Sequence, residues 1–138
     1  MDQVIITEKL ESLRRCIQRI DDKKPESVNQ LIQDIDLQDI LVLNLTRAIQ
    51  LCVDIGSHII SSAGQFSPQT MGEVFTTLHE LGAISPETRD QLKKSIGFRN
   101  IAVHNYEAIN WEIVYAISQN SVQDFRRFAQ EICRYAAF

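Results

Sequence analysis

The sequence predicts an all-α fold, a single-domain antiparallel bundle of about five helices, and three observations carry that expectation. Apolar residues recur at spacings of three and four almost throughout the chain. No stretch alternates apolar and polar residues over a strand's length, and no Asn-Gly or Asp-Gly hairpin signal occurs. Ser, Asp, Asn and Pro residues stand where the helical patterns begin, with Gly where several of them stop.

Ile6, Leu10, Leu13, Ile17 and Ile20 form one stripe of a first helix from about Asp2 to Lys23, which Pro25 ends. Ser27 to Asp34 holds too short an apolar set (Val28, Leu31, Ile32, Ile35) to define an element and reads as a connection. Asp36, with Asp39 three residues later, reads as the cap of a second helix running to about Ser62. From Ile40 to Ile59 its apolar residues cover well over half the circumference, which predicts a central position in the bundle. Gly64 stops it. Ser67 and Pro68 supply a cap and a first-turn proline for a third helix from about Pro68 to Leu81, closed by Gly82. Ser85-Pro86-Glu87 repeats the start signal, and a fourth helix carries Leu92, Ile96, Ile101 and Val103 toward Tyr106. Asn110 caps the last helix, whose apolar phase runs unbroken from Trp111 through Val114, Val122, Phe125, Phe128 and Ile132 toward the C-terminus.

The 138 residues are 44% apolar and 23% charged, enough for one core in one domain spanning residues 1–138. The longest unbroken aliphatic run, Ile40 to Leu43, is far below the roughly 20 apolar residues of a membrane-spanning helix. Met1 and Asp2 open no basic-then-apolar leader, so the expectation is a cytoplasmic protein without membrane association. Cys16, Cys52 and Cys133 form neither a CxxC nor a cluster with histidine and read as reduced thiols, and no metal-ligand spacing occurs. The net charge of −4 argues against a broadly positive nucleic-acid surface, so a nucleic-acid site has to be local. Arg89, Lys93, Lys94 and Arg99 are either such a local track or a solvated helix face.

Phosphate-cradling loops and nucleophile elbows have no support, because GxxxxGK, GxGxxG and GxSxG are all missing. Asp34, Asp36 and Asp39 read as capping and solvated carboxylates, and His79 as a complement to a helix C-terminus. Arg47, Asp54 and His58, with Asn44, share a narrow arc of the second helix. They form either an internal hydrogen-bonded network or part of a cleft.

Gly97 to Tyr106 stands apart, because Arg99, Asn100, His104 and Tyr106 are interleaved there with apolar residues expected to anchor the backbone. Arginine offers a permanently charged planar fork for phosphate, and histidine exchanges a proton near neutral pH without a cofactor. One such group handles the proton of a 2′-hydroxyl or leaving oxygen while the other stabilises the extra charge of a phosphorane, which is a minimal kit for RNA cleavage. Five residues of regular helix rotate by roughly 140° and rise about 7.5 Å, so Arg99 and His104 do not stack. A shared site needs long side chains reaching around a groove, a local irregularity, or a second subunit related by a two-fold axis. On its own Tyr106 reads as an aromatic anchor whose hydroxyl finds a partner.

Arg99-Asn100-x-x-x-His104-x-Tyr106 resembles the RNxxxHxY motif of HEPN-domain proteins, in particular the HepT-type toxins of bacterial HepT/MntA toxin–antitoxin pairs. The helix from Leu37-Gln38-Asp39 to His58, with Asn44, Arg47, Asp54 and His58, is also similar to the corresponding helix of those toxins, and the aromatic C-terminal helix fits. The resemblance covers nearly the whole chain. It implies a HEPN-like all-helical homodimer that is the toxin of a type VII system. The activity it implies is a metal-independent endoribonuclease with Arg99 and His104 catalytic and Asn100 supporting. It further implies a cognate MntA-type minimal nucleotidyltransferase antitoxin that neutralises the toxin by AMPylation of Tyr106. ATP is then used by that partner, and this chain takes no cofactor. The alternative reading is a non-catalytic helical subunit that docks on a nucleotidyltransferase and holds nucleotide or phosphate with Arg99 and His104.

Overall fold

A computed structural model of the chain describes residues 2–137. Among them are six α-helices and no strand: α1 (Gln3–Asp22), α2 (Val28–Gln33), α3 (Ile35–Ser62), α4 (Met71–Glu80), α5 (Pro86–His104) and α6 (Trp111–Ala136), with a short 3-10 turn (Tyr106–Ala108) between the last two. The all-α expectation holds, with one helix more than the sequence pattern defines.

The extra helix is α2, in the segment read as a connection. Ser27 caps it by accepting from the Gln30 amide at 3.1 Å, and Leu31 is its one fully buried residue. Six residues give a period of 3.6 too little to repeat. Three boundaries also differ. The cap of α3 is Asp34, whose carboxylate accepts from the Leu37 amide at 3.0 Å, rather than Asp36, which lies in the first turn. The cap of α4 is Thr70, accepting from the Glu73 amide at 3.2 Å while the Glu73 carboxylate reaches back to the Gln69 amide, so this helix begins after Ser67-Pro68. Finally, α5 ends at His104, and Tyr106 belongs to the turn beyond it.

α3 is the central helix, in contact with α1, α2, α4, α5 and α6. By length and composition alone it matches a membrane-spanning helix, but more than half of its most apolar window is buried inside the bundle, as in a core helix. Leu41, Leu45, Ala48, Ile49, Cys52, Ile55 and Ile59 of α3 pack with Ile6, Leu13 and Ile20 of α1 and with Phe75, Leu92, Phe125, Phe128 and Ile132 in one continuous core. Phe75 meets Phe128 edge to face at 6.3 Å. Gly56 lets α3 and α4 approach closely: a Cβ there would lie 2.6 Å from Val74 Cγ1 and 2.8 Å from Leu78 Cδ1. The expected stops, Gly64 and Gly82, both take left-handed backbone (φ +76° and +80°) directly past a helix end.

Both α1 and α5 run antiparallel to α3 and flank it. The Asp2 amide donates to His58 Nε2 at 3.3 Å, and Lys9 faces Asp54. On the other side Gln50 meets Arg99 and Asp39 meets Tyr106. The outward stripe of α3 is thus the floor between two walls.

Candidate functional site

The site is built on the last turns of α5. Leu92, Phe98 and Ala102 are buried and Ser95 is half-buried, in steps of three and four, and this face seats the helix on the core. That face differs from the expected one. Ile101 and Val103 do not anchor the backbone; they are 45% and 52% exposed, and with half-exposed Leu43 of α3 they leave apolar surface around the motif. The helix stays regular from Pro86 through His104, so no local distortion brings Arg99 and His104 onto one line.

Arg99 leans against α3. Its Nη2 donates to Gln50 Oε1 at 3.2 Å, and its Nη1 lies 3.4 Å from Asn100 Oδ1. Gln50 in turn donates to Asp54 Oδ1 at 2.9 Å, and Asp54 faces Lys9 at 3.9 Å. No carboxylate lies within ion-pair distance of Arg99 among the described residues. A neutral amide therefore orients the guanidinium without cancelling its charge, so its outer N–H groups are available to an anion. His104 is the last residue of α5 and is exposed. Asn105 follows in a non-helical conformation and closes the helix by donating to the Ile101 carbonyl at 2.8 Å.

Tyr106 is 43% exposed and meets Trp111 edge on at 6.1 Å. Its hydroxyl donates to Asp39 Oδ1 at 3.0 Å. Partial burial, together with the Asp39 carboxylate, raises the phenol above its ordinary value of 10. Asp39 is therefore more than the solvated carboxylate that the sequence pattern suggests.

The polar stripe of α3 does not form one network. Asn44 is buried and donates back to the Ile40 carbonyl of its own helix. His58 receives the Asp2 amide and so ties down the start of α1, apart from the motif. Only Asp54, through Gln50, is joined to Arg99. Arg47 is exposed and lines an open groove of about 680 Å³ between α1 and α3 with Arg15, Arg19, Leu43, Gln50 and Asp54.

Of the two readings left open for the α5 cations, a local track or a solvated helix face, the structure does not form a track. Arg89 is paired with Asp90 at 2.8 Å, Lys93 donates to Thr76 at 3.0 Å, and Lys94 lines a separate pocket between α5 and α6. Pattern reading also missed Gln50 and Asp39 as partners of the motif. Gln50 was accessible to it, since it lies three residues after Arg47 and four before Asp54 on the same arc. His79 has a structural role, its Nδ1 lying 3.0 Å from the Ile84 carbonyl. Cys16 and Cys52 are buried free thiols whose burial holds them above the ordinary thiol value. Among the described residues no group of three or more His, Cys, Asp or Glu side chains is placed to hold a metal ion.

Residues 6–132 match the family model described as Ribonuclease HepT-like. The chain is 38% identical over 128 residues to the mRNA nuclease HepT of Shewanella oneidensis, covering 93% of this chain and 96% of that protein. It is 26% identical over 135 residues to the tRNA nuclease HepT of Aphanizomenon flos-aquae, covering 98% and 92%. A solved structure of the tri-AMPylated Shewanella oneidensis HEPN toxin in complex with MNT antitoxin superposes with a TM-score of 0.88 at 37% identity, covering 97% of this chain and 99% of that one.

Proposed function

The chain belongs to the HepT-like ribonuclease family, and from that premise we propose that it is the toxin of a type VII toxin–antitoxin pair, an endoribonuclease that works in the cytoplasm without a metal. The observation that carries the reading is Arg99 held by an uncharged partner, Gln50, one helical face away from the exposed His104. The relatives named as mRNA and tRNA nucleases support RNA as the substrate class.

In the proposed reaction the 2′-hydroxyl oxygen of RNA attacks the neighbouring phosphorus and the bond to the 5′-oxygen breaks. The products are a 2′,3′-cyclic phosphate and a free 5′-hydroxyl. His104 moves the proton at the attacking or leaving oxygen, Arg99 stabilises the charge of the phosphorane, and Asn100 supports the guanidinium. With α5 regular, Arg99 and His104 diverge around the helix. A homodimer packed through Ile101, Val103 and Leu43 resolves this, because a two-fold axis beside α5 supplies a second Arg99 and His104 to one cleft.

The antitoxin is a nucleotidyltransferase of the MntA type that uses ATP to AMPylate Tyr106, and the AMPylated Shewanella toxin in complex with its MNT antitoxin supports this. Asp39 positions the phenol as the acceptor. The α3 anchors of Tyr106 and Arg99, Asp39 and Gln50, lie about three helical turns, or about 16 Å, apart. Added AMP thus silences the enzyme by filling the cleft around His104 with bulk and negative charge, rather than by pairing with Arg99 alone. Expressing the chain alone and with an MntA-type nucleotidyltransferase tests the whole reading. Growth arrest alone, relieved together with a gain of whole AMP units in mass, is the expected result.

A further inference from the structure

We propose that the groove between α1 and α3, walled by Arg15, Arg19 and Arg47, holds the phosphate backbone of the RNA strand to one side of the bond that is cut. This rests on the ribonuclease reading and adds to it a binding site formed by α1 and α3, outside the motif.

Position is the first argument. Gln50 and Asp54 line the groove, and Gln50 is the residue that holds Arg99, so the groove opens beside the reactive arginine. A strand bound at Arg99 and running across the floor of α3 meets these three arginines next. Charge is the second. In a chain of net charge −4, three arginines converge on one groove. Neither Arg19 nor Arg47 has a carboxylate partner among the described residues, and Arg15 has only a loose one, Glu11 at 3.7 Å, which is itself held by Arg14 at 2.7 Å. The carboxylate within the groove, Asp54, is engaged by Gln50 and Lys9. Spacing is the third. Arg15 and Arg19 are one turn apart on the same face of α1, about 6 Å along its axis, while Arg47 stands opposite on α3, so the cations line both sides of a channel. Ile40 and Leu51 give it an apolar floor against which bases can rest. A positive groove with sequence-tolerant apolar contacts is how single strands are held without base readout.

The test is the binding of a fluorescent single-stranded RNA oligonucleotide to the full chain carrying His104→Ala, which slows turnover, measured by anisotropy over a range of salt. Each phosphate contact to a single strand contributes about 0.7 to the slope of log affinity against log salt. Adding Arg15→Gln and Arg19→Gln should weaken binding at least ~10-fold at low salt and flatten that slope by about 1.4. The matched pair Arg126→Gln and Arg134→Gln on α6, which makes the same change in net charge away from the groove, should alter neither. In the active chain the groove pair should raise KM while kcat stays near that of the unaltered protein. Equal effects of the two pairs, or an unchanged slope, overturn the proposal. So does unchanged RNA binding with loss of the complex with the nucleotidyltransferase, which would assign the groove to that protein. If the chain binds RNA through these arginines but does not cut it, the groove stands and the ribonuclease reading falls.

Discussion

The Tyr106 hydroxyl donates to Asp39 Oδ1 at 3.0 Å, fastening the turn after α5 to the second turn of α3 across 67 residues of sequence. This bond keeps the end of α5 over the floor of the site. It also gives the phenol an oriented carboxylate as its proton acceptor.

Burial and Asp39 raise the Tyr106 phenol above 10 in the folded chain, so the folded state retains the proton to higher pH than the unfolded chain does. Its contribution to stability is complete below the ordinary tyrosine value and is lost as pH rises through the folded one. Asp39→Asn should lower the phenol's titration point, read as phenolate absorbance against pH and as a difference from the unaltered protein so that Tyr115 and Tyr135 cancel. Superimposable titrations would show that Asp39 has no influence on the phenol.

AMPylation should map to Tyr106 alone. With the cognate nucleotidyltransferase and ATP, Tyr106→Phe should gain no AMP and remain toxic, and Asp39→Asn should be modified more slowly at the same residue. Peptide mass mapping decides this. Modification at Tyr115, whose hydroxyl lies 3.4 Å from the Glu26 carbonyl in the α1–α2 link, would contradict the assignment.

Gln50 should tolerate removal better than charge. Gln50→Glu places a carboxylate against Arg99, and the resulting pair competes with substrate phosphate. Activity should fall at least ~10-fold with an unchanged or raised Tm, whereas Gln50→Ala should lose less. Full activity in Gln50→Glu would show that the neutrality of this partner does not matter.

Gly56→Ala tests the close approach of α3 and α4. The new methyl would lie 2.6 Å from Val74 Cγ1, on a stiff side chain, and 2.8 Å from Leu78 Cδ1. Overpacking of this kind costs about 1–3 kcal/mol, against a gain of about 1 kcal/mol in helix propensity. The variant should melt below the unaltered protein, and an equal or higher Tm would contradict the packing described.

Much of the architecture is legible along the chain, for definite reasons. α1 and α6 are long enough to repeat their stripes, and Ser85-Pro86 and Asn110 are unambiguous starts. Elsewhere short range was not enough. α2 is too brief to show a period, and at α4 two start signals compete, with Thr70 prevailing because its hydroxyl accepts from the Glu73 amide while the Glu73 carboxylate accepts from the Gln69 amide. The motif could be read because arginine, asparagine, histidine and tyrosine crowd ten residues. Its supports could not: Asp39 looks like a cap, Gln50 carries no charge, and the arginines of α1 face the groove only once α1 lies antiparallel on α3.

Cleavage of single-stranded RNA by the purified chain in excess EDTA is the decisive measurement of whether Arg99 and His104 cut RNA without a metal. The expected result is cleavage leaving 2′,3′-cyclic phosphate ends, no cleavage of the DNA counterpart, and a rate lowered ~10² to 10⁴ fold in His104→Ala, with Arg99→Ala at least as impaired. Cleavage that EDTA abolishes, or that His104→Ala leaves at the original rate, would contradict it.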